Sequence, residues 1–188
     1  VLLALAACGM DKEEAELPAP SLPGAGTEVP QMPVPQAEHA WLQKFVGEWS
    51  AEVELFEEQG QPPEKSTGTE SVRAIGGFWI LAEDRGVFMD KPFTGILTLG
   101  YSPERKKYVA TWVDSMVSHL WTYDGTVDET GNILTLEAEG PCPMKGGQMA
   151  RFKETVEFLD ADHRVFTSAM EAENSSWVTM MVIHYRRK

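Results

Sequence analysis

The sequence predicts an all-β fold: an antiparallel up-and-down barrel of about ten strands, with one short helix ahead of it. Three observations carry that prediction. Trp49, Ala51, Val53 and Leu55 alternate with Glu48, Ser50, Glu52 and Glu54, the period of two of a strand with one dry and one wet face. Nine more strand-like segments follow at short spacing, separated by turn residues. No second helical stretch interrupts them, so the links are too short for the crossovers that parallel strands need. Ten such strands either split into two sheets or close on themselves, and closure removes the exposed edges.

The helix is read from Trp41, Leu42, Phe45 and Val46, which recur at helical spacing before Gly47 ends the run, giving a short helix near Ala40–Phe45. After the first strand, Gln59-Gly60-Gln61-Pro62-Pro63 makes a turn. The further strands are expected at Ser66–Ala74, Phe78–Val87, Phe93–Tyr101, Lys107–Asp114, Val117–Asp124, Ile133–Glu139, Ala150–Leu159, Arg164–Met170 and Ser176–Arg187. Gly76-Gly77, Ser102-Pro103, Asp124-Gly125, Thr130-Gly131-Asn132, Gly146-Gly147 and the segment 160–162 supply the turns between them.

The chain has 188 residues, room for one domain, placed at residues 38–188, plus an extension. Ahead of the domain the composition changes abruptly. Six of the twelve prolines, Pro18, Pro20, Pro23, Pro30, Pro33 and Pro35, fall in a stretch with few apolar residues and no period. Proline lacks the backbone donor and favours extended geometry, so residues 8–37 are expected to be a disordered acidic tether reaching roughly 90 Å at full extension. Residues 1–7 form an apolar run ending in small residues, as the end of a secretory signal does. Leu5-Ala6-Ala7-Cys8 resembles the bacterial lipobox, which implies cleavage before Cys8, lipidation of its thiol and a membrane anchor there. Gly9, where an aspartate would favour retention in the inner membrane, leans toward the outer membrane facing the periplasm.

The net charge of −13, from 29 acidic and 16 basic side chains, repels phosphate backbones and excludes nucleic acid as a partner. Beyond the first residues no stretch approaches the roughly 20 apolar residues that cross a bilayer. An acylated Cys8 leaves Cys142 without an intramolecular partner. Cys142 stands in Gly140-Pro141-Cys142-Pro143 with only Lys145 as a nearby cation, and is read as a loop cysteine.

The helix running into Gly47-Glu48-Trp49 resembles the opening of calycin barrels, the lipocalins and fatty-acid-binding proteins. That resemblance implies a tryptophan packed at the closed end against an arginine of the last strand, the part Arg186 or Arg187 would take. The whole domain also resembles the bacterial family called domain of unknown function 1579. The segments that carry the resemblance run from His39 to Trp49, then Gly76-Gly77-Phe78-Trp79, Gly100-Tyr101-Ser102-Pro103, Thr111-Trp112-Val113-Asp114-Ser115-Met116, Glu139-Gly140-Pro141 and Tyr185-Arg186-Arg187-Lys188. Relatedness follows from that resemblance, but no activity does.

No metal-protease, phosphate-loop, nucleophile-elbow or paired-cysteine motif occurs, and neither a cofactor nor a metal is expected. Candidates therefore come from polar residues in phase with apolar ones, which point into the barrel where a lone charge needs a partner or a purpose. Glu83 shares parity with Trp79 and Leu81, and Arg85 is in phase to pair with it or to hold an anion. Asp114 follows Trp112 in phase, His119 precedes Trp121 and Tyr123, and Glu154 lies in phase with Phe152, Val156 and Phe158. Each of these is also explained by a hydrated carboxylate at a barrel mouth, or by a bulge that shifts parity by one. His184 reads as β surface or rim, and its surroundings do not match the one calycin-like family that ligates haem. The expected function is a tethered envelope protein whose aromatic-walled barrel binds a small, partly apolar ligand. Two alternatives stand beside it: an enzyme using Asp114, His119 and Glu154 for proton transfer, or a filled barrel that contacts other proteins through its outer surface.

Overall fold

Ten antiparallel strands close into one barrel in a computed structural model that describes residues 32–56, 60–88, 90–142 and 146–188. The lipobox and all but the end of the expected tether lie outside the described residues. The compact unit begins at Val34. In chain order the strands are β1 (Gly47–Leu55), β2 (Glu64–Ile75), β3 (Trp79–Phe88), β4 (Lys91–Ser102), β5 (Lys107–Asp114), β6 (Trp121–Val127), β7 (Ile133–Cys142), β8 (Gln148–Phe158), β9 (His163–Glu171) and β10 (Trp177–Arg187). Each strand pairs with its neighbours in sequence, and β1 pairs with β10 to close the ring, Trp49 opposite Arg187 and Val53 opposite Ile183. Among the described residues no helix is long and apolar enough to cross a membrane.

Strand ends differ from the sequence reading most at β6 and at the end of β7, and Asp124-Gly125, expected as a turn, lies inside β6. β6 begins at Trp121 rather than Val117, because the carboxylate of Asp114 takes the backbone N–H groups of Met116 (2.7 Å) and Val117 (3.0 Å) that a ladder would need. Cys142 is not a loop residue. It ends β7, is fully buried, and its thiol donates to the sulfur of Met170 at 3.0 Å.

The helix forms as α1 (Ala37–Trp41) and runs straight into a 3-10 turn, Leu42–Phe45. It is short and is held mainly by what it touches. The buried His39 accepts the Gln36 N–H on Nδ1 (2.9 Å) and sets its ring edge-on to Phe78 and Tyr101. Trp41 Nε1 and Lys44 Nζ both donate to the carbonyl of Gly131 in the turn after β6, at 2.8 and 2.7 Å. Leu42 and Phe45 thereby plug one end of the barrel over Trp49, Ile80, Leu99 and Leu134, none of which keeps any exposure.

Arg187 fastens that end. Its guanidinium lies over the Trp49 ring and donates to the carbonyls of Val46 (2.7 Å) and Lys44 (3.2 Å). Trp49 Nε1 in turn donates to the Phe45 carbonyl at 2.8 Å. Gly47 is required beside them: its φ is 138°, and a Cβ there would stand 2.5 Å from Arg187 Nη1. Of the two arginines proposed for this contact, Arg187 makes it and Arg186 is exposed.

Candidate functional site

Burial divides the barrel interior into two halves. At the helix end inward side chains such as Trp49, Ile80, Leu99 and Leu134 are sealed. At the far end Cys142, Ala150 and Met170 are buried as a second cluster, but Leu97, Trp112, Trp121, Tyr123, Phe152, Phe166 and Met181, which also point inward, each stay partly exposed. Solvent therefore reaches the rings of that half.

The wall there is aromatic because neighbouring strands make room for it. Trp112 on β5 pairs with Leu97 on one side and Trp121 on the other. Its indole lies directly on Gly95, and that of Trp121 on Gly140, so close that a Cβ at either glycine would overlap the ring. Phe93 stacks on Trp112 at 6.3 Å between centroids, Tyr123 stacks on Trp121 at 6.5 Å, and Phe152 meets Trp121 edge-on at 5.0 Å.

Glu154 on β8 reaches into this half, opposite Leu136 of β7 and Ser168 of β9. Its Oε1 accepts the Ser168 hydroxyl at 3.2 Å, whereas its Oε2 is buried with no hydrogen-bond partner. Burial pushes its pKa up to about 8, so the unliganded carboxyl is mostly protonated at neutral pH. Tyr123 is raised too, chiefly by burial and then by the nearby carboxylates of Glu154 and Asp114.

Asp114 faces inward as its phase predicts, but its oxygens are occupied. Oδ2 accepts Trp112 Nε1 at 2.9 Å, and Oδ1 holds the Met116 and Val117 N–H groups, which fixes the loop at the open rim. His119 stands in that loop, half-buried, with its ring edge-on to Trp121 at 4.9 Å. It forms no hydrogen bond to Asp114 or Glu154, so the three do not assemble as an acid–base group. No three histidine, cysteine, aspartate or glutamate side chains converge as a metal site among the described residues.

The parity reading of β3 needs correction. Ile80 and Ala82 are the buried residues there, which turns Trp79, Glu83 and Arg85 to the outer wall. Trp79 is 41% exposed and lies on Gly100 of the next strand. Glu83 and Arg85 do pair, Nε to Oε1 at 2.7 Å, but on the outside of the barrel. Strand β3 carries apolar residues in both phases from Trp79 to Ala82, so phase alone does not tell its inner face from its outer one.

The inward carboxyl of β3 is Asp84, and it belongs to a polar cluster that the sequence reading missed. Arg164 of β9 forms a buried ion pair with Glu70 of β2, and its guanidinium carbon lies 4.0 Å from the centre of the Tyr185 ring and 4.7 Å from that of Trp49. Tyr185 donates to Asp84 Oδ1 at 3.1 Å. Burial, then the charge of Glu70, pushes the Asp84 pKa up to about 8. Glu70 is also raised, by burial that its arginine only partly offsets. Two of these were readable: Glu70 shares phase with Val72, and Arg164 with Phe166.

His184, taken as surface, lies on the outer wall, its Nδ1 3.2 Å from His163 Nε2. Elsewhere on that wall a depression of about 780 Å³ crosses β5, β6 and β7. Its charges neutralise one another: Asp124 pairs with Arg105 and with Lys107 (3.7 Å), and Glu137 with Arg151 (3.5 Å).

Comparison with known proteins gives fold and family. No curated protein matches the chain. The crystal structure of Rv2717c from M. tuberculosis is similar at a TM-score of 0.58 and 13% identity, covering 82% of this chain and 99% of that one. A redesigned β-barrel bound to DFHBI is similar at a TM-score of 0.41 and 10% identity, over 77% of this chain and 100% of that one. A protein of unknown function from the DUF3598 family of Nostoc punctiforme is similar at 0.39 and 16%, over 87% and 53%. The family described as protein of unknown function (DUF1579) matches residues 34–187, from the approach to the helix through to Arg187 of the Trp49 contact. The chain therefore belongs to the DUF1579 family.

Proposed function

We propose that this protein is a lipid-anchored envelope protein whose barrel receives a small, partly apolar ligand in the half away from the helix. The observation that carries the binding reading is the partial exposure of inward aromatic residues, Trp112, Trp121, Tyr123 and Phe152, in a barrel whose other end is sealed. Exposed rings gathered on a concave wall with a few polar groups among them favour an apolar guest. The filled-barrel alternative leaves that exposure unexplained.

The anchor is supported by Leu5-Ala6-Ala7-Cys8 and by the proline-rich segment that follows. One acyl chain holds a protein to a membrane only marginally, so the several chains of a bacterial lipoprotein would be needed. Gly9 favours the outer membrane, with the barrel facing the periplasm.

Two measurements test the binding reading. Native mass spectrometry of the gently purified protein should show a co-purifying small molecule. A titration with neutral naphthylmethanol should quench tryptophan fluorescence saturably, and Trp121→Leu should weaken that response. A bare protein mass together with no saturable quenching would overturn the reading.

A further inference from the structure

Glu154 presents a buried oxygen with nothing to bind it. Oε1 has the Ser168 hydroxyl, and the buried Oε2 has no donor at all. A buried acceptor left unmatched is unfavourable, and its environment is completed by whatever donor enters. Tyr123 is near enough to feel its charge, and the Tyr123 ring stacks on Trp121, which Phe152 meets edge-on.

The charge of the interior selects the kind of donor. Arg164 is the one buried lysine or arginine among the described residues, and Glu70 holds it at the sealed end. The open half contributes Asp114 and Glu154, both acidic. A carboxylate guest would meet these two acidic groups and, among the described residues, no buried lysine or arginine beside them. An ammonium guest would meet an unmatched carboxyl oxygen and several π faces, each of which attracts a cation. The net charge of −13 also draws cations toward the protein from solution.

Resting on the binding reading above, we infer that the ligand is an amine: a cationic ammonium group on an apolar, ring-bearing body, with the ammonium closing on Oε2 of Glu154. The exchange balances in protons. Unliganded Glu154 is held mostly neutral by burial. The ammonium ion enters with its charge, the carboxyl ionises beneath it, and one proton leaves to solvent. The groups facing Glu154 are the Tyr123 hydroxyl on β6, Leu136 on β7 and Ser168 on β9, with Asp114 hydrogen-bonded to Trp112 and two backbone N–H groups and His119 edge-on to Trp121 at the rim.

Three matched probes test the inference on the full chain: naphthylmethylamine, naphthylmethanol and naphthylacetate, titrated by calorimetry near neutral pH. The amine should bind at least about tenfold more tightly than the acetate. Its apparent enthalpy should change with the ionisation enthalpy of the buffer, reporting about one released proton per site. Glu154→Gln should bring the amine within about threefold of the alcohol and abolish proton release. Acetate binding as tight as the amine, or amine binding without proton release in the unmutated protein, would overturn the inference and leave the binding reading standing. If none of the three binds and the purified protein has a bare mass, both fall.

Discussion

The guanidinium carbon of Arg187 stands 4.2 Å from the centre of the Trp49 indole, joining the last strand to the first where the barrel closes. The indole is completely buried, and the arginine spans it to reach two carbonyls of the helix turn. Trp49→Ala should lower the unfolding free energy by about 3–5 kcal/mol, through lost burial and the cavity left behind. Arg187→Ala should cost about 1–3 kcal/mol, because the Val46 and Lys44 carbonyls lose their donor. Urea unfolding of the two variants and the double variant should give a coupling above about 0.5 kcal/mol. Strict additivity would show that the contact contributes nothing.

The orientation of β3 is checked by two substitutions at opposite faces of the wall. Glu83→Ala removes an exposed ion pair and should change stability by less than about 1 kcal/mol. Arg164→Met strands the buried Glu70 and should cost about 3–5 kcal/mol. A large loss at Glu83 would place that carboxylate inside and refute the assignment.

Acid should stabilise the unliganded protein over an unusual range. Asp84 and Glu154 have folded pKa values near 8, against ordinary values of 3.8 and 4.5. Between the ordinary and the folded value the native state keeps protons that the unfolded chain has lost. Their contribution is thus complete below about pH 4 and disappears as pH rises through about 8. Asp128 acts in the opposite sense: hydrogen bonds, the Thr130 hydroxyl first, lower its pKa from 3.8 to about 2, so its contribution is lost only in stronger acid. The melting temperature should be higher at about pH 5.5 than at about pH 8.5, and Asp84→Asn and Glu154→Gln should each flatten the slope. A profile unchanged in both variants would contradict the burial of these carboxyls.

The anchor proposal is tested by fractionation. Cys8→Ser in the complete precursor should move the protein from the membrane to the soluble periplasmic fraction. Retention of the serine variant on the membrane would defeat it.

Local pattern determined much of this barrel. Alternation from Trp49 to Leu55, glycine-rich turns and the lack of a second helical stretch are enough for antiparallel strands, because a strand between water and core repeats every two residues. The same rule put Asp114 and Glu154 on the inner face, where Trp112 and Phe152 mark the phase. It failed from Trp79 to Asp84, where both phases are apolar as far as Ala82 and acidic after it. On the outer phase Trp79 lies against Gly100, although it keeps 41% of its exposure. Whether Glu83 or Asp84 faced inward was settled by the registers of β2 and β4 against β3. The partners of the inward groups were likewise beyond any local reading. Glu70 meets Arg164, and Tyr185 meets Asp84, only after β1 has paired with β10 and the ring has closed. Periodicity reports which way a side chain points, but its hydrogen-bond partners come from strands far away in sequence. Only the closed barrel therefore decides which buried polar groups find each other, as Arg164 and Glu70 do, and which carboxyl oxygen is left without a donor, as in Glu154.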